Sequence, residues 1–168
     1  ASFEEVEHLI ENGCRNIAML SGKKTAQVSE RRECGYRRAL EKYGLHIREE
    51  WIEDCLFDQK TAVQKSIELK KSYPEIDAFF CVSDGVAIGA IEGMGQLGVR
   101  VPDDVAIAGF DDYTVSQYIH GGITSIKQYP YKMGVACANT VISMIEGNRV
   151  PDWIPMEYKL MKRASTKK

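Results

Sequence analysis

The chain has 168 residues, of which 44% are hydrophobic and 27% are charged, and its formal net charge is -2. This composition predicts an ordinary globular protein with one core of its own, and the near-neutral charge excludes the basic surface of a nucleic-acid-binding domain. Because no window has the run of apolar residues that a membrane span needs, we expect a soluble, cytoplasmic chain without a membrane partner.

Five cysteines are scattered along the chain without a C-x-x-C spacing: Cys14, Cys34, Cys55, Cys81 and Cys137. Most of them lie in or beside apolar runs, so we expect them to behave as small buried hydrophobes. Their odd number and spacing favour a reducing compartment and predict neither a metal site nor a cofactor.

The apolar pattern alternates between strand-like and helix-like segments from one end of the chain to the other. Strands are predicted at 16–20, 51–57, 78–82, 105–110 and 123–127, and helices at 3–12, 30–43, 61–71, 85–97, 113–119 and 131–146. Strands that alternate with helices in this way predict a doubly wound parallel sheet, an α/β fold with right-handed crossovers.

The segment 76–112 is the clearest strand–helix–strand unit. Each of its strands is followed by an aspartate, Asp84 after the first and Asp111 after the second. In open parallel sheets the ligand crevice lies beyond the carboxyl ends of the strands. Both aspartates are therefore expected at the ligand edge, although Asp84 also precedes a helix and is predicted to cap it.

Two helices are apolar on more than one side. The helix 86–97 has only Glu92 and Gln96 as strongly polar residues, so one side is expected to meet the sheet and the other a second subunit, or else the chain's own tail. The helix 131–146 carries two apolar stripes with little chain left to cover them. We expect it to be displaced, swapped between chains or packed on a neighbour.

Several motifs, in order and at the expected spacing, resemble the effector-binding region of the LacI/GalR family of bacterial transcription regulators. The most specific is VPDDVAIAGFDD (101–112), and the others are NIAMLSG (16–22), ECGYRRAL (33–40), SD (83–84) with AIGA (87–90), TSIKQ (124–128) and MG (133–134). The resemblance covers almost the whole chain. It implies one lobe of a two-lobed, periplasmic-binding-protein-like fold that binds a sugar or other small effector.

The resemblance also implies a domain organisation. Residues 1–128 would form the second lobe, 129–150 a helix of a first lobe that is otherwise absent, and 151–168 a return to the second lobe. DNA would be bound only through a helix-turn-helix headpiece that these 168 residues lack, and the complete regulator would act as a homodimer.

Six residues are candidates for ligand binding. Arg32 is predicted in the first turn of its helix, on the core-facing stripe below the strand ends, and its forked donors suit hydroxyls or a carboxylate. The resemblance implies that Asp111 accepts hydrogen bonds from sugar hydroxyls, and the alternative is that it caps the following helix. Ser83 precedes Asp84 and is a further candidate contact.

The other three candidates are Phe57, Asp58 and Gln128. Phe57 is predicted at a strand end, where its ring would stack on the apolar face of a sugar or belong to the core. Asp58 beside it, and Gln128 at the crossing between lobes, are polar candidates. Lys23 and Lys24 would favour a phosphorylated sugar if they reach the ligand, and otherwise are solvated.

The leading hypothesis is the effector-binding and dimerisation portion of a LacI-family regulator, without enzymatic activity. The alternative is the periplasmic sugar-binding protein of an ABC transporter, which has the same fold. An enzyme with Asp84 and Asp111 as an acid/base pair is the third hypothesis. Neither a phosphate-binding glycine loop nor a nucleophile elbow supports it, and fold alone implies no chemistry.

Overall fold

The computed structural model describes residues 1–167, and the last residue of the predicted return segment lies outside them. Five α-helices and six strands are formed in these residues, together with four short 3₁₀ turns. They are α1 (Ser2–Glu11), β1 (Ile17–Ser21), α2 (Gln27–Lys42), β2 (Ile52–Asp54), α3 (Gln59–Ser72), β3 (Ala78–Cys81), α4 (Asp84–Gln96), β4 (Ala106–Ala108), β5 (Ser125–Lys127), α5 (Pro130–Ile145) and β6 (Lys159–Met161).

The central sheet is parallel, in the order β2-β1-β3-β4. The segment that includes β5 continues it beyond β4, because Gly109 N donates to Thr124 O at 2.8 Å and Asp111 N donates to Ile126 O at 3.0 Å. On the other side of β5 lies β6, which is antiparallel to it. The predicted doubly wound parallel sheet is therefore confirmed.

Side chains that alternate along each strand divide the core into two layers. Phe79 faces the layer formed by α3 and α4, and the next residue, Phe80, faces the layer formed by α1 and α2. Both rings are fully buried. The sheet is thus covered on both faces, which explains why its strands are continuous apolar runs.

Glycines on α4 allow α3 to approach it closely. A methyl group at Gly89 would lie 2.4 Å from the Gln59 carbonyl oxygen, and one at Gly93 would lie 2.3 Å from Ser66 Oγ. One further side of α4 is therefore covered by α3 and not by the tail, whereas a second subunit on the remaining outer side stays a prediction. Ile88 and Ile91 stay half-buried on its outer side.

By contrast, α5 has no buried residue. Tyr131 and Ile145, near its two ends, are 84% and 80% exposed. The remainder of the described chain therefore does not cover this helix, although its sequence is as apolar as that of α4.

Several predicted strands are shorter than their sequence pattern indicates, and one predicted helix is not an α-helix. The strand predicted at 51–57 is limited to β2, because a 3₁₀ turn precedes it and Leu56 and Phe57 adopt positive φ angles of 55° and 58° after it. The helix predicted at 113–119 is two short 3₁₀ turns.

Candidate functional site

The candidate site lies at the carboxyl edge of the sheet and is centred on Arg32. The sequence predicts this residue in the first turn of its helix. It belongs instead to the second turn of α2, because the helix begins at Gln27. Its Nη2 donates to Asp111 Oδ1 at 2.9 Å, and its Nη1 donates to the Val82 carbonyl oxygen. One guanidinium therefore connects the chain just after β3 to the chain after β4.

The Arg32 guanidinium also stacks on an aromatic ring. Its Cζ lies 3.7 Å from the centroid of the Phe110 ring, where a cation is attracted by the negative face of the ring. The arginine side chain is 10% exposed and that of Asp111 is 21% exposed. The Phe110 ring thus packs against the arginine of the ion pair, and part of the Asp111 carboxylate stays accessible.

Asp111 has a second donor in Gln128, whose Nε2 lies 2.5 Å from the same Oδ1 atom. Gln128 follows β5 directly, so the parallel register of β5 beside residue 111 brings the two side chains together. Tyr113 lies close to the same carboxylate and lines the same cleft. Burial, and then the negative charge of Asp111, raise the pKa of the Tyr113 phenol.

Ser83, and not Asp84, caps α4. Ser83 is the N-cap of α4, since its Oγ accepts a hydrogen bond from Val86 N at 3.4 Å. Asp84 is instead the first residue of the helix and accepts bonds from the loop that follows Asp111. The prediction that Asp84 caps the helix is wrong, because Ser83 lies one residue earlier in the extended conformation that a cap requires.

Phe57 and Asp58 also follow the carboxyl end of a strand, but this strand is β2, on the other side of the sheet from β4. The Phe57 ring covers Gly22, where an added methyl group would lie 2.3 Å from two ring carbons, and the residue is 38% exposed. Asp58 caps α3, since its Oδ2 accepts from both Thr61 N and Thr61 Oγ1 at 2.8 Å. The Thr61 N–H in particular lowers the pKa of Asp58.

The structure thus brings three of the six candidates into one hydrogen-bonded group: Arg32, Asp111 and Gln128. Phe57 and Asp58, after β2, are separated from Asp111, after β4, by three strand spacings, roughly 14 Å at typical strand separations. Phe57 therefore lies at the far end of the carboxyl edge of the sheet from Asp111.

An open cleft of about 470 Å³ adjoins the group and is within the size range of small-molecule sites. It is lined by Asp111, Asp112, Tyr113, Thr114, Lys127, Gln128, Pro130 and Met133. A second cleft of about 500 Å³ lies on the outer face of α2, but its Arg37 is already paired with Glu33 and Glu49. The first cleft is the better candidate, because part of the Asp111 carboxylate faces solvent.

The sequence does not predict the contacts that four residues of this region make: Gly22, Phe110, Tyr113 and Glu5. Phe110 reads as strand core and Tyr113 as part of a helix, so neither pattern signals a contact with an ion pair. Glu5 is the least expected, since it is fully buried on α1 and both of its carboxylate oxygens have no hydrogen-bond partner in the described structure. Burial, and next the negative charge of Asp84, raise its pKa.

Across the described chain, no three His, Cys, Asp or Glu side chains converge as metal ligands would. None of the described helices has the combination of length and hydropathy that a membrane span requires.

The parallel α/β lobe carries an ion pair and a cleft at the carboxyl ends of its strands, which is where open α/β sheets bind ligands. Residues 6–166 match the family model described as periplasmic binding protein-like domain. The chain belongs to this family, and it corresponds to the effector-binding domain of LacI-family transcriptional regulators.

Individual relatives agree with this assignment. The chain is 29% identical over 164 residues to the HTH-type transcriptional repressor PurR of Actinobacillus pleuropneumoniae serotype 3, covering 96% of this chain and 49% of the repressor. It is 32% identical over 163 residues to the HTH-type transcriptional regulator CelR of Thermobifida fusca, covering 96% and 48% respectively. The chain therefore spans about half the length of the curated relatives it matches.

Solved structures agree as well. A structure of a transcriptional regulator CelR–cellobiose complex superposes with a TM-score of 0.93 at 32% identity, covering 98% of this chain and 50% of that one. A LacI-family regulatory protein from Chloroflexus aggregans superposes with a TM-score of 0.90 at 28% identity, covering 98% and 59%. These relatives are transcriptional regulators and not enzymes, and they favour the regulator over the transporter protein.

Proposed function

We propose that this chain is the lobe with which a transcriptional regulator binds a sugar, and that the ligand lies against Asp111. The observation that carries the proposal is the Asp111 carboxylate, which Arg32 and Gln128 hold through one oxygen while the side chain stays 21% exposed. A fixed acceptor of this kind suits adjacent hydroxyl groups. The proposal gains support from the cellobiose in the CelR complex.

The proposal extends to the complete regulator. A first lobe, which includes the helix at 129–150, would close over this edge, and residues 151–168 would return to the lobe formed by 1–128. A headpiece outside these residues would bind DNA, and the regulator would act in the cytoplasm as a homodimer. The exposed surface of α5 and the twofold greater length of the relatives support this organisation.

Calorimetric titration of the complete regulator with cellobiose tests the ligand proposal. We expect Asp111→Asn to lower the affinity by about ten- to a hundredfold, as for the loss of a hydrogen bond to a charged group. The matched control is Asp103→Asn, since Asp103 is an exposed aspartate that pairs only loosely with Arg100. Equal affinities of the wild type and the Asp111 variant would remove Asp111 from the site.

A parallel titration with glucose 6-phosphate tests the alternative that the ligand is a sugar phosphate. Lys23 and Lys24 are exposed in the loop after β1, and they are the cations that would favour a phosphate. Tighter binding of the phosphate than of cellobiose, lost on Lys23→Ala with Lys24→Ala, would establish the phosphorylated ligand.

A further inference from the structure

Asp84 lies directly beneath the segment that presents Asp111 and is fully buried. Its Oδ2 accepts from Tyr113 N at 2.7 Å and from Ser116 Oγ at 2.6 Å, and its Oδ1 accepts from Ser125 Oγ at 2.7 Å. These donors come from two different stretches of the chain. The carboxylate therefore joins the loop after β4 to the beginning of β5.

The serine at 125 extends this connection by one step. Its Oγ accepts a hydrogen bond from Asp112 N at 3.0 Å while it donates to Asp84. The backbone at Asp112 and Tyr113, which directly follows Asp111, is thus attached to Asp84 once through Ser125 and once directly.

The backbone at these positions needs such support. Asp111 and Asp112 have φ angles of 101° and 54°, in the left-handed region that residues with a side chain rarely occupy. Conformations of this kind persist only where the surroundings hold them. In addition, a methyl group at Gly109 would lie 2.4 Å from Asp84 Oδ1, so the carboxylate packs directly against the end of β4.

We infer that Asp84 is a positioning residue for the ligand site: through Tyr113, Ser116 and Ser125 it holds the left-handed turn at residues 111–112 and thereby aims the Asp111 carboxylate into the cleft. Asp84 acts without touching the ligand. The effect on ligand affinity rests on the proposed function, whereas the effect on the turn does not.

Amide hydrogen exchange tests the turn without any ligand. In the 168-residue chain, we expect Asp84→Asn to accelerate exchange at Asp112 and Tyr113 by about tenfold, since the amide can replace only part of the acceptor capacity. Ser125→Ala is a milder second variant and should accelerate exchange at Asp112 alone. The control is Asp77→Asn, because Asp77 accepts backbone N–H bonds from Arg15 and Asn16 at the opposite edge of the sheet.

A double-mutant cycle in the complete regulator, titrated with cellobiose, tests whether Asp84 acts through Asp111. Asp84→Asn should weaken cellobiose binding about tenfold in the wild-type background and less than about twofold in the Asp111→Asn background. A residue with only a structural role would weaken binding equally in both.

Unchanged exchange at both amides in Asp84→Asn, or equal losses of affinity in the two backgrounds, would overturn the inference. If the wild-type regulator does not bind cellobiose, the ligand proposal fails for that sugar, and the exchange measurement still decides the role of Asp84.

Discussion

At the scale of single residues, two buried carboxylates near the site differ in how they are accommodated. Asp84 accepts three hydrogen bonds, which lower its pKa and oppose the effect of burial, although burial prevails. Glu5 has no such bonds, and burial raises its pKa well above the ordinary value of 4.5. Its charged form is therefore poorly stabilised, with Asp84 and Asp111 opposing ionisation and Arg32 and the amino terminus favouring it.

This difference predicts how stability depends on pH. The folded pKa of Glu5 exceeds the unfolded one, so its contribution is fully present below about pH 4.5 and is lost as the pH rises through the folded pKa. We expect Glu5→Gln to raise the free energy of unfolding by roughly 1 kcal/mol or more at pH 8, about 3 °C in Tm, and to give a smaller gain at pH 4.

Thermal unfolding between pH 4 and pH 8 measures this dependence. Glu11→Gln is the control, since Glu11 lies exposed on the same helix. A Glu5→Gln effect that is constant over this range would show that Glu5 does not ionise with a raised pKa.

At the scale of elements, the packing of α3 on α4 depends on the absence of a side chain at Gly89. An alanine in a helix interior usually stabilises by about 0.5–1 kcal/mol relative to glycine. At Gly89 the added methyl group would meet the Gln59 carbonyl, which cannot move without the α3 backbone. We expect Gly89→Ala to destabilise the fold by about 1–3 kcal/mol.

Gly95 provides the matched control on the same helix, because nothing lies within 4 Å of the position that its methyl group would occupy. Gly95→Ala should stabilise by about 0.5–1 kcal/mol. Denaturant unfolding of both variants gives the comparison, and stabilisation by both would contradict the close contact.

The same elements show what the sequence can and cannot predict. Apolar runs and helical spacing predict β1, β3, β4 and their helices, and parallel strand ends predict that Arg32 and Asp111 meet. The sequence does not predict the role of Asp84, because its partners Ser116 and Ser125 follow it by 32 and 41 residues. Local sequence does not indicate such long-range pairing. It likewise predicts that Glu5 is an exposed acidic residue on a helix.

At the scale of the whole molecule, one part of the chain contributes almost nothing to the core. The apolar residues Val141, Ile142, Met144 and Ile145 of α5 are 53–80% exposed. Such a surface favours association in water. The apolar pattern of α5 predicts that the helix is covered, and the described chain does not cover it.

We expect the 168-residue chain to self-associate with rising concentration through α5, and Ile142→Lys with Ile145→Lys to reduce this association. The free energy of unfolding should change by less than about 0.5 kcal/mol, because neither side chain is buried. The buried Ile107→Ala should instead cost about 2–5 kcal/mol. Sedimentation velocity and denaturant unfolding measure the two effects, and a large loss of stability in the lysine variant would place α5 in the core.

The pairing of β5 with β6 has a mechanical consequence. Lys127, where the chain leaves the sheet, lies opposite Lys159, where the chain re-enters it, so both connections to α5 run through the same pair of strands. Further along, the Trp153 ring contacts the lobe, 5.3 Å from the Arg31 guanidinium carbon. Gln128 is the first residue after β5, so a reorientation of α5 that moved Gln128 would separate its amide from Asp111. The Gln128–Asp111 hydrogen bond thus links the orientation of α5 to the carboxylate at the ligand edge.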